Sequence, residues 1–92
     1  MKTVNILSID YSINWVDEKD RKGDMGEADF FNKTITIYKH DNNQEKNKTV
    51  LHELIECMNH EFSIGLKHAQ IEKLEDAIYD TWKRQDLKEL FE

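Results

Sequence analysis

Apolar and polar residues alternate near the start of the chain, and past residue 41 the apolar ones recur at intervals of three and four. In "VNILSIDYSINWV", Ile9, Tyr11, Ile13 and Trp15 fall on one face and Ser8, Asp10, Ser12 and Asn14 on the other. That is the period of a half-buried strand. Val4 and Ile6 are out of phase with this set, which predicts a bulge or bend near Ile6 and Leu7. The polar stretch "DEKDRKGDMGEAD", holding Gly23 and Gly26, reads as a loop. In "FFNKTITIYK", Phe31, Lys33, Ile35 and Ile37 share one side and Thr34, Thr36 and Tyr38 the other, with Asn32 and Lys33 placed for a tight turn. Two or three antiparallel strands are expected.

The segment "DNNQEKNKT" opens a helix, because Asn42 with Glu45 three residues later fits a capping pair. Val50, Leu51, Leu54, Ile55, Met58 and Phe62 then make one core-facing stripe. "SIG" at Ser63 to Gly65 breaks the pattern, and Gly65 suits a helix-ending left-handed residue. A second helix follows with Ile71, Leu74, Ile78 and Trp82 as its buried stripe, continued by Leu87, Leu90 and Phe91. The predicted class is α+β: a small antiparallel sheet within residues 1–40, a motif helix over 42–62 and a C-terminal helical part over 66–91.

Ninety-two residues, 38% of them apolar, supply one modest core and therefore a single domain. The net charge of −6 argues against a nucleic-acid binder, which needs a clustered Lys/Arg face, and tolerates a cationic partner or a metal ion. The lone Cys57 has no internal disulfide partner and reads as a small buried hydrophobe. The chain opens on no secretory signal pattern and holds no apolar run of membrane-spanning length, so a reducing cytoplasm is expected. Trp15 and Trp82 read as core residues, and Tyr79 as a helix-boundary tyrosine.

Chemistry is concentrated in "TVLHELIECMNHEF", Thr49 to Phe62. His52 and Glu56 are four apart on a helix, so both project from one face and can reach one ion. Glu53 lies one step round, where a carboxylate could take a proton from metal-bound water. Zinc lowers the pKa of such water to about 7, within range of an ordinary carboxylate base. A catalytic zinc needs a third protein ligand. His60 is on the same face, but a rise of about 1.5 Å per residue carries its backbone roughly 12 Å from His52, too far to share an ion. His68, after the "SIG" break, is the better candidate, and His40 the weaker one. Zinc fits this nitrogen-and-carboxylate set, which iron, nickel or manganese could also occupy.

The stretch "TVLHELIECMNHEFSIGLKHAQIEKLEDAIYDTW" resembles the core of small phage- and prophage-encoded zinc metallopeptidase-like proteins, relatives of the ImmA/IrrE type of zincin. Their Thr-Leu-Leu-His-Glu entry, the His or Glu that follows a two-residue apolar step, the Leu-x-His-x-x-Ile-x-x-Leu second helix and its closing Leu-Tyr-like pair are matched by "TVLHE", Glu56, "LKHAQIEKL" and "AIY". The strand pair before the motif is similar to "GEADFFNKTITIYK". One position departs: Glu56 stands where the HExxH motif has its second histidine, giving HExxE. A carboxylate oxygen also binds zinc, at about 2.0–2.2 Å. The resemblance implies a minimal zincin-like fold, zinc held by His52, Glu56 and His68, Glu53 as general base, and the cytoplasm of a bacterial host.

Two function classes follow. The first is a zinc-dependent hydrolase, a phage-type metallopeptidase acting on a peptide or protein substrate through a metal-activated water, with a free strand edge on which an extended peptide could add. The second is a non-catalytic phage-type accessory protein that keeps the scaffold and binds a host or viral protein. Neither expects nucleic acid or membrane as a partner.

Overall fold

The computed structural model of the chain describes residues 2–19, 23–40 and 42–84. Strands β1 (Lys2–Ile6) and β2 (Ile9–Trp15) form an antiparallel hairpin in which Val4 faces Tyr11 and Ile6 faces Ile9. Residues directly opposite in such a pair share a face. The phase slip at Ile6 is therefore a full chain reversal, the bend of the two alternatives and not the bulge. Leu7 and Ser8 make the turn with φ of 52° and 64°, left-handed positions usually given to Asn-Gly. Asn5 compensates: its Oδ1 accepts the Ser8 N–H at 3.1 Å, and its Nδ2 donates to Asp10 Oδ1 at 2.8 Å.

Strands β3 (Gly26–Asp29) and β4 (Thr34–Ile37) form a second antiparallel hairpin. It docks with β4 against β2, and that pair is parallel, Ser12 opposite Thr34 and Trp15 opposite Ile37. The sheet is thus four-stranded and mixed, in the order β1-β2-β4-β3, instead of two or three antiparallel strands. Gly-Glu-Ala-Asp has neither a β-branched nor an aromatic residue, so β3 carries no strand signal of its own and owes its pairing to Ile35 and Ile37 beside it. Asp29 closes the β3–β4 turn by accepting the N–H groups of Phe31 and Asn32, while Lys33 takes φ 56°. Phe31, which the alternation put on the side of Ile35 and Ile37, is 91% exposed in this turn.

Helix α1 (Asn43–Glu61) starts where the sequence indicates, Asn42 accepting the Glu45 N–H at 2.8 Å through its side chain. Its buried positions Thr49, Glu53 and Cys57 repeat every fourth residue, and Cys57 joins Ile6, Tyr11, Ile13, Ile35 and Ile37 in the core, with Val50, Leu54 and Met58 packed around them. The helix ends in a Schellman arrangement, Ile64 N–H to Asn59 O and Ser63 N–H to His60 O. Ser63, at φ 53°, takes the left-handed position there, and Gly65 takes a second one at φ 83°.

Helix α2 (His68–Arg84) returns antiparallel, since successive contacts join Asn59 to Leu66, His52 to Glu75 and Lys48 to Asp76. Ile71 is its one fully buried residue, while Leu74 is 38% and Trp82 61% exposed. Trp82 is therefore not the core residue its spacing suggested. Nor is Trp15, 46% exposed, whose ring lies under the Lys46 ammonium 4.5 Å away. Leu87, Leu90 and Phe91 lie outside the described residues. No described helix is long and apolar enough to cross a membrane.

Candidate metal centre

Two features of the helix pair set where His68 begins. Asn59, on the last turn of α1, clamps Leu66 in both directions, donating to its carbonyl at 3.2 Å and accepting its N–H at 2.8 Å. The Lys67 carbonyl then accepts the N–H groups of Gln70 and Ile71, and the Gln70 side chain accepts the Lys67 N–H at 2.8 Å, so α2 starts at His68. A tight return followed by an immediate helix start brings His68 back beside α1.

There it meets His52 and Glu56. One ligating atom from each of the three lies within 4.8 Å of those of the other two, the only such group of three among the described residues. The imidazoles of His52 and His68 approach edge to face, 5.4 Å between centroids at 67°. Bonds of about 2.1 Å to a tetrahedral ion put its ligand atoms roughly 3.4 Å apart. The three atoms, none more than 4.8 Å from another, are within reach of that spacing.

The other histidines are engaged elsewhere. His60 stacks flat on Phe30, centroids 4.2 Å apart. His40 bonds the Tyr38 carbonyl through Nδ1 and Thr49 Oγ1 through Nε2, the latter at 2.9 Å. Of the three candidate histidines, only His68 stands beside His52 and Glu56. Its present contact is Glu72, 2.9 Å from Nε2, with both side chains more than half exposed. Such an exposed i,i+4 pair is worth only about 0.3–0.5 kcal/mol, little beside a metal–imidazole bond.

Glu53 differs from these in its environment. It is 5% exposed, and its Oε2 is buried with no hydrogen-bond partner among the described residues. It lines, with His52, His68, Asp24, Met25 and Gly26, a cavity of about 450 Å³. Burial pushes its pKa from 4.5 up to about 7; His52 opposes the shift, and the negative charges of Glu56, Glu27 and Asp24 add to it. An unsatisfied buried carboxylate costs on the order of several kcal/mol, which makes the position a candidate for function. The donor set and the orphaned carboxylate beside it together suit a divalent transition metal.

Other candidates resolve as structure. The Cys57 thiol is fully buried, and that burial raises its pKa to about 12, which keeps it protonated and inert. Tyr79 lies between α1 and α2 in an apolar groove away from the histidines.

Two site residues carry no signal of their own in the sequence. Glu75 Oε1 is 2.7 Å from His52 Nδ1, and both side chains are largely buried. Seven residues past His68, Glu75 is on the same helix face, so placing His68 at the site would have placed it too. Gly26 is the other, since only the packing shows that β3 approaches α1 through it. Comparison with protein-family models, curated proteins and solved structures finds no match for this chain.

Proposed function

We propose that the chain is a zinc-dependent hydrolase, a small metallopeptidase of the phage-encoded type its motif resembles. The observation that carries the reading is the convergence of His52, Glu56 and His68 from two helices beside the orphaned, buried Glu53 carboxylate. His52, Glu56 and His68 would hold the ion, which when bound polarises a carbonyl and makes water a nucleophile at neutral pH.

The remaining work belongs to the protein. Glu53 accepts the proton of the attacking water and returns it to the leaving amine, a role open to a carboxylate that stands one step round the helix from His52 and lines the same cavity. Low exposure keeps bulk water from that carboxylate and strengthens every charge interaction around it. Strand β3 is an edge of the sheet and its start lines the same cavity. Its free side gives an extended peptide main-chain hydrogen bonds to add to, next to Glu53.

The experiment is elemental analysis of the untagged protein, with His52→Ala, His68→Ala and Glu53→Gln alongside, and hydrolysis of an unstructured peptide library. One zinc per chain, lost in both histidine variants, with Glu53→Gln retaining zinc and losing hydrolysis, supports the reading. Absence of a stoichiometric metal overturns it. Metal present with no effect of Glu53→Gln on the biological activity returns the accessory-protein alternative.

A further inference from the structure

We infer that Glu75 is the positioning residue of this centre, fixing the ring orientation and tautomer of His52; this rests on the metal-centre reading above. His52 can donate only one N–H when neutral, and Glu75 Oε1, at 2.7 Å, is an acceptor for the proton on Nδ1. The lone pair is then left on Nε2, the nitrogen free to bind a cation.

The placement is specific. Glu75 is 17% exposed and His52 18% exposed at the side chain, so the pair is not one of the solvated contacts that side chains make and lose freely. Glu72, on the preceding turn, makes its contact with His68 in the open. Helix α2 therefore supplies a ligand, His68, and, two turns on, the residue that orients the ligand from α1. Asp76, next to Glu75, pairs instead with Lys48 at 2.6 Å and is 66% exposed, which makes it a control on the same helix.

Two measurements test this on the full chain. Zinc affinity, by competition with a chromophoric chelator, falls about 10- to 100-fold in Glu75→Ala, falls less in Glu75→Gln, whose amide oxygen still accepts, and stays unchanged in Asp76→Asn. In zinc-free protein, long-range proton–nitrogen NMR shows His52 protonated on Nδ1 in the wild type and shifted toward the Nε2–H tautomer in Glu75→Ala. A purely structural role would not move that tautomer. Wild-type zinc affinity and an unchanged His52 tautomer in Glu75→Ala overturn the inference. Should that variant fail to fold, Glu75→Leu, closer to glutamate in volume and without an acceptor, carries both readouts. A wild-type chain that binds no zinc sinks the metal centre itself, while the tautomer still decides whether Glu75 orients His52.

Discussion

Gly26 of β3 meets Glu53 of α1 so closely that a Cβ on the glycine would lie 3.3 Å from the glutamate Cγ, 2.8 Å from Thr49 Cγ2 and 3.0 Å from the Thr36 carbonyl. The missing side chain lets the helix rest against the strand, and that contact holds Glu53 under cover. Gly26→Ala forces α1 outward, since the Thr36 backbone cannot yield. Overpacking of this kind costs about 1–3 kcal/mol. Peptide hydrolysis should fall more than zinc affinity, because the atoms nearest the added Cβ belong to Glu53, Thr49 and Thr36 and to none of the three proposed ligands. Urea melts, zinc titration and turnover measured together check this.

Glu53 is held at a cost to stability. Its folded-state pKa of about 7, against 4.5 ordinarily, means the folded chain keeps a proton that the unfolded chain has released. The resulting stabilisation is full below about pH 4.5 and is lost as pH rises through 7. Glu53→Gln removes this dependence, so in the presence of a chelator the variant should exceed the wild type by roughly 1–3 kcal/mol at pH 8. The two should converge at pH 4.5. Denaturant midpoints at the two pH values report it.

Glu61, two turns further along α1, is shifted the opposite way. Its Oε2 accepts the Tyr11 hydroxyl at 2.6 Å and the Lys33 ammonium at 2.9 Å, and these bonds, Tyr11 first, hold its pKa below 4.5. The stability it contributes is present above 4.5 and lost as pH falls through the lowered value. Tyr11→Phe should destabilise the protein at neutral pH and flatten the acid limb of its stability curve. A pH series of thermal melts from 3 to 7 reads both.

Ser63 occupies the left-handed position that ends α1. Glycine adopts this conformation without steric penalty, so Ser63→Gly should raise stability by about 0.5–1 kcal/mol. Zinc affinity should not change, since Asn59 independently fixes the start of α2. Thermal denaturation and chelator competition test the pair of outcomes.

How much of this could be read along the chain depended on how local each signal was. The capping pair Asn42–Glu45, the extent of α1 and the break at Ser63 to Gly65 rest on neighbours a few residues apart, and each is found in place. Strand β3 was not legible in the apolar pattern and was covered only by the resemblance, because four residues without strand preference pair only when Ile35 and Ile37 stand beside them. The parallel pairing of β2 with β4 left no trace either, as it joins segments separated by a whole hairpin.

The same division runs through the candidate site. Helical periodicity alone put His52 and Glu56 on one face with Glu53 a step away, since 3.6 residues per turn leaves no other arrangement. The arrival of His68 beside them, the burial of Glu53 behind Gly26 and the approach of Glu75 to His52 all required the return of one helix along another and its packing on a sheet. Those distances come from loop closure and side-chain volume summed over the whole domain, and no stretch of residues contains them.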